Sequence, residues 1–114
     1  MIQEINGKKM AVDVFGEGEP MLLVHGLGGS SNVWRPLINE FAGRFKMIVP
    51  DLPCAARSSN DPNISISSLA TDMLTLLDSL NIEQAHVVGH SMGTIVCQHM
   101  AAMAPLRVKN LVLL

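Results

Sequence analysis

A chain of 114 residues with a net charge of −2 forms one domain at most and carries no basic footprint for nucleic acid or for an acidic membrane surface. Hydrophobic residues make up 48% and charged residues 16%, which is lean in charge for a small soluble domain, so an oligomer or further protein is expected to cover part of its surface. Two cysteines are too few for a disulfide framework, and no basic-then-apolar leader or apolar run near the roughly 20 residues of a membrane helix occurs, so a reducing, cytoplasmic setting is expected.

Residues 2–5 and 10–15 read as two strands around Asn6-Gly7, a dipeptide suited to a tight hairpin turn. The short apolar run 21–26, MLLVHG, predicts a buried central strand. Over 30–43, Val33, Trp34, Leu37, Ile38 and Phe41 recur at helical spacing, with Ser30 or Ser31 as cap and Gly43 as terminator. A strand over 46–51 leads into a loop dense in turn residues, LPCAARSSNDPN. Ser65 or Ser67 caps the next helix, whose apolar face is Leu69, Met73, Leu76, Leu77 and Leu80. A strand over 85–90 is followed by a helix over 91–104, apolar almost all round and so expected to be buried on most sides, until Pro105 stops it. Residues 108–114, VKNLVLL, form the last strand. Strands separated by helices of this length imply βαβ units. The expected fold is a single α/β domain over 1–114: a mostly parallel, twisted sheet with helices on both faces and the first hairpin added at its edge.

Two stretches carry chemistry. Gly89-His90-Ser91-Met92-Gly93 joins a strand to a helix, the setting of a nucleophile elbow. A sharp turn there lifts the serine hydroxyl clear at the carboxyl end of the sheet, and the helix N-terminus favours a developing anion. Gly89 and Gly93 let the strand and helix backbones approach closely. The bland alternative is that Ser91 merely caps the helix. The second stretch is His25-Gly26-Leu27-Gly28-Gly29 directly after MLLV. Acyl transfer makes a carbonyl oxygen negative, and two backbone N–H groups must already point at it. Leu27 and Met92 are the candidate donors. Gly26, Gly28 and His90 are the expected substrate contacts beside them. The bland alternative is a Gly-rich turn with no ligand, and a phosphate loop fits less well still, because no Gly-Lys-Ser/Thr follows.

These residues, with FKMIVPDLP…RSS and VKNLVLL, resemble the N-terminal half of an α/β-hydrolase, most closely its esterase, enol-lactonase and haloperoxidase-like branch. The likeness covers essentially the whole chain. It implies Ser91 as nucleophile, Leu27 and Met92 as oxyanion donors, and the strand of Ser91 lying beside that of His25. It implies a small-molecule ester or lactone substrate, with no metal and no cofactor. A haloperoxidase-like perhydrolase would use the same serine.

The sequence departs from the family in two places. The family writes Asp-Leu-Pro-Gly-His-Gly-x-Ser where this chain has Asp51-Leu52-Pro53-Cys54-Ala55-Ala56-Arg57-Ser58. If either lost glycine needs a positive φ, its replacement costs about 1 kcal/mol or more. Cys54 falls at the active edge, as a packed thiol or as a second nucleophile. The second departure concerns the triad. The family's acid and base histidine follow the serine, but no Asp or Glu occurs after Ser91. His99 lies about 12 Å along the same helix. His86 lies about 16 Å back along the strand. His90 is adjacent but should point to the other face. His25 alone lies on a neighbouring strand end, either as a base or as a residue tied into its loop by backbone hydrogen bonds. The expected function is therefore a serine hydrolase that lacks the family's acid and base. Its alternative is a weak or inactive fragment that keeps the fold and self-associates. Strand 108–114 is apolar and free of proline, so a homodimer pairing through it is expected.

Overall fold

A computed structural model describes residues 1–114. Six strands form one sheet: β1 (Ile2–Ile5), β2 (Lys8–Phe15), β3 (Glu19–Val24), β4 (Phe45–Pro50), β5 (Ala85–Gly89) and β6 (Val108–Leu113). Three helices join them: α1 (Arg35–Phe41), α2 (Ile66–Ser79) and α3 (Met92–Met103). The sheet order is β1-β2-β4-β3-β5-β6. Strands β4, β3, β5 and β6 run parallel, while β1 and β2 form the antiparallel pair at one edge. The hairpin turn is made by Asn6 (φ 50°) and Gly7 (φ 79°), the paired positive φ values that an Asn-Gly turn supplies.

The apolar strands are explained by having both faces covered. Leu22, Val24, Ile48 and Val87 join one core with α2 and α3, whereas Leu23, Met47, Val49 and Val88 join a second with Trp34 and α1. Successive residues thus enter opposite layers, which a two-fold side-chain period demands. Helix α2 starts at Ser65, whose hydroxyl accepts from the Ser68 N–H at 3.0 Å while the Ser68 hydroxyl accepts from the Ser65 N–H at 2.8 Å. Its buried stripe, Leu69, Met73, Leu76 and Leu77, contributes roughly 1.5–3 kcal/mol per side chain.

The structure corrects three sequence expectations. The helix over 30–43 is a 3₁₀ turn, Ser31–Trp34, followed by a short α-helix from Arg35. Pro36 has no N–H to donate back into the preceding turn, so it sits in the first turn of a new α-helix rather than inside a continuous one. Gly43 is not the left-handed terminator expected, since its φ lies outside that region. Helix α3 is buried along one stripe only (Gly93, Val96, Cys97, Met100), while Ile95 and Met103 are about half exposed.

Strand β6 is an edge. It pairs with β5 alone, and Leu111, Val112 and Leu113 are between 37% and 45% exposed. Two side-chain contacts pin its amino end: Lys109 pairs with Glu19, and the Asn110 amide donates to His86 Nδ1 at 3.1 Å.

Candidate active site

The parallel pairing of β3 and β5 sets Val24 opposite Gly89, so the loops that leave the two strands emerge side by side. Ser91 follows β5 with φ 57° and ψ −123°, a conformation that an L-residue adopts only when its surroundings impose it. Those surroundings are glycines. A Cβ at Gly89 would strike the Gly93 carbonyl, and one at Gly93 would strike the Val24 carbonyl. A Cβ at Gly26 would lie 2.7 Å from the Ser91 Cβ and 3.2 Å from its Oγ. Strand, helix and loop therefore meet around Ser91 more closely than any side chain allows.

Ser91 occupies the cap position of α3, yet its side chain makes no capping hydrogen bond, and the residue is exposed. The capping alternative thus fails on geometry. The first turn is closed instead by backbone, with Gly93 N–H donating to the His90 carbonyl at 2.9 Å and Thr94 N–H to that of Ser91 at 2.9 Å. Met92 is the first residue of α3, so its N–H has no acceptor within the helix. Leu27 N–H is likewise free of any acceptor in the chain, and Leu27 itself is 84% exposed. The two expected donors are unoccupied: Leu27 lies in the loop after β3, and Met92 opens α3.

His25 is almost fully buried, and both its ring nitrogens are taken. Leu52 N–H donates to Nε2 at 3.0 Å, so Nε2 carries the lone pair and Nδ1 the proton. Nδ1 then donates to the Gly26 carbonyl at 2.8 Å, which also accepts from Gly29 N–H at 3.1 Å. Of the two roles expected for His25, this geometry is that of the tied loop residue: the ring fastens the 25–29 turn to the segment after β4 and has no nitrogen free for Ser91. Gly28, with φ 74°, completes the turn.

The other histidines are elsewhere. His86 lies at the far end of β5, 3.4 Å from a Glu19 oxygen and held by Asn110. His99 is exposed on α3. His90 donates its N–H to the Val24 carbonyl at 3.1 Å and sets its ring edge-on to Trp34, with centroids 6.3 Å apart. No histidine hydrogen-bonds to the Ser91 hydroxyl.

The altered loop keeps a glycine-like shape without its glycines. Cys54 (φ 70°) and Ala56 (φ 40°) both sit in the left-handed region, so the two lost glycines fall where φ is positive. The loop is held to β2 by Ser59 N–H donating to the Lys9 carbonyl and Ala11 N–H donating to the Ser58 hydroxyl. The Cys54 thiol donates to the Asp61 carbonyl at 3.3 Å and accepts from Asp61 N–H at 3.1 Å. Asp51, fully buried, accepts from Ser31 N–H at 2.8 Å and from Arg57 Nε at 2.7 Å, and Arg57 continues to Asp13 at 2.9 Å. Burial alone would raise the Asp51 carboxyl, but the hydrogen bonds from Ser31 and Arg57 outweigh it and hold the group below its ordinary range. Beyond an acid and a base six residues apart, Asp51 and Arg57, this network has no local sequence signal. A second network was equally hidden: Lys8 pairs with Asp61 and with buried Asp72, residues 53 and 64 positions away.

The family model for the alpha/beta hydrolase fold matches residues 19–114. The chain belongs to the alpha/beta hydrolase family. Over 101 residues it is 41% identical to a protein of Azorhizobium caulinodans named as a carbamate hydrolase, RutD, a match that covers 87% of this chain and 38% of that one. Among solved structures it superposes on an epoxide hydrolase, CorEH, with a TM-score of 0.96 at 30% identity, covering 99% of this chain and 40% of the other. An epoxide hydrolase of Vigna radiata, VrEH1, gives a TM-score of 0.91 at 31% identity, covering 99% and 38%. The chain therefore spans about two-fifths of these hydrolases.

Proposed function

We propose that Ser91 attacks the carbonyl carbon of a carboxylic ester or lactone and forms an acyl-enzyme. The hydroxyl oxygen bonds to that carbon as its proton leaves, and the carbonyl oxygen takes up the negative charge between the N–H groups of Leu27 and Met92. Collapse of the tetrahedral intermediate expels the alcohol, and water then hydrolyses the acyl group from Ser91. The observation that carries this proposal is the conformation of Ser91: strained, exposed, at a helix N-terminus, and making no cap that would explain the strain.

Chemistry narrows the choice among the activities named for the relatives. An ester, a lactone and a carbamate each offer a carbonyl oxygen for two N–H donors to stabilise, whereas an epoxide offers none. The base and acid of such a reaction lie outside these residues in this proposal, since all four histidines are otherwise placed and no carboxylate follows Ser91. The test is the burst of nitrophenolate from an activated ester. A burst lost in Ser91→Ala supports the proposal, and a burst unchanged by that substitution refutes it. Retained activity in His25→Gln would separate the loop-fastening role from any proton transfer. Slow turnover alone decides little, because oxyanion stabilisation and binding without a complete triad still leave about 10³–10⁴-fold acceleration over water.

A second proposal follows from the edge strand. The uncovered β6, with Leu111, Val112 and Leu113 exposed, supports a self-associating chain of weak or no activity, in which two copies pair through β6.

A further inference from the structure

Beside Ser91 lies a cavity of about 140 Å³, walled by Gly26, Leu52, Cys54, Ala55, Ile64 and Met92 among others. We infer that it receives the acyl group of the substrate and selects a short, uncharged, apolar one of four to six carbons. This inference rests on the role proposed above for Ser91.

Position comes first. Gly26 both lines the cavity and approaches Ser91, and the cavity also touches Leu27 and Met92, whose N–H groups are the proposed oxyanion donors. After the alcohol has left, only the acyl group remains tethered to Ser91, so it is the part of the substrate held beside these residues. Size comes second. A dry cavity of about 150 Å³ accommodates a benzene ring, so 140 Å³ suits on the order of six carbons. Polarity comes third. Of the lining side chains only His25 and Cys54 carry polar atoms, and both are already engaged: the His25 nitrogens by Leu52 and Gly26, the Cys54 thiol by the backbone of Asp61. No side chain in the wall is left to bind a charge, and burying one there unpaired would be costly.

Two lining residues, Cys54 and Ala55, are among this chain's own departures. Cys54 and Ala55 stand where the family pattern has glycine and histidine. The Cys54 side chain adds a wall that glycine lacks, and Ala55 removes a polar group. Cys54 is exposed, whereas burial pushes the Cys97 thiol up to about 12, so Cys54 alone reports on occupancy by its reaction with a small thiol reagent.

The experiment has two arms. In the first, the burst rate is measured on nitrophenyl acetate, butyrate, hexanoate, octanoate and dodecanoate. The expected optimum is butyrate to hexanoate, with dodecanoate at least about tenfold slower, since single methylenes in apolar pockets discriminate by about that factor or more. Ile64→Ala, at the exposed rim, should move the optimum to octanoate. Methyl methanethiosulfonate, which adds a methylthio group to Cys54, should slow hexanoate about tenfold and leave acetate within about twofold, reversibly with dithiothreitol. Bursts of equal rate at all chain lengths, or an optimum unmoved by both changes, would overturn the inference while leaving Ser91 as nucleophile. In the second arm, which needs no catalysis, butanol and benzyl alcohol should slow methylthiolation of Cys54 at least about threefold, with butyrate ion and dodecanol without effect. If no ester gives a burst, the proposed function fails, and this second arm decides the cavity: protection by the small apolar alcohols supports it as an apolar binding site, and no protection overturns it.

Discussion

Replacing residues 54, 55 and 56 one at a time by glycine should give three different answers. Ala56 is held at φ 40° with its methyl group exposed. A left-handed conformation costs an L-residue roughly 1–2 kcal/mol, which glycine escapes. Against this, glycine loosens the unfolded chain and forfeits about 0.4–1 kcal/mol. The net gain for Ala56→Gly is about 0.5–1 kcal/mol, or a melting point about 2–4 °C higher in a domain of this size. Ala55 has no positive φ and packs against the main core, so Ala55→Gly gains nothing, loses a partly buried methyl and should cost about 1 kcal/mol. Cys54→Gly relieves φ 70° but abandons both thiol hydrogen bonds to Asp61, and should fall between the other two. Thermal unfolding followed by circular dichroism reads the order directly. If Ala56→Gly melted as far below the parent as Ala55→Gly, the claim that this loop keeps a glycine conformation without glycine would be refuted.

Gly93→Ala should destabilise by about 3 kcal/mol or more, because the new Cβ meets the Val24 and His25 carbonyls, whereas Gly43→Ala meets nothing and should be neutral to slightly stabilising; urea midpoints separate them. Asp51 is charged below its ordinary range in the folded chain, so its contribution is fully present above about pH 4 and is lost as pH falls further; Asp51→Asn should cost about 1–3 kcal/mol at neutral pH and flatten the acid limb of the melting-point profile between pH 2 and 5. Val112→Lys should abolish dimers seen by sedimentation at micromolar concentration if β6 is the pairing edge, and a parent that sediments as a monomer without binding an apolar dye would count against pairing.

The strands, the two longer helices and the setting of Ser91 were legible because each rests on local rules. Apolar runs of strand length, a serine cap before an amphipathic stripe, and an Asn-Gly turn are decided by neighbouring residues. The break before α1 is not legible, because apolar spacing over 30–43 does not register the cost of Pro36 within a turn. The one-sided burial of α3 is not legible either, because composition fixes how apolar a helix is, not how many neighbours it receives. The function of His25 could not be read at all from its neighbours: Leu52, which fixes its tautomer, is 27 residues away. The cavity was equally hidden, since its walls come from two loops and the first turn of α3.

The most direct measurement is the site of reaction with a fluorophosphonate probe, located by peptide mass spectrometry. One adduct is expected, on Ser91, absent from Ser91→Ala and unaffected by Ser65→Ala at an exposed cap serine. Labelling of Ser91→Ala at the parent's rate, or an adduct on any other hydroxyl, would contradict it.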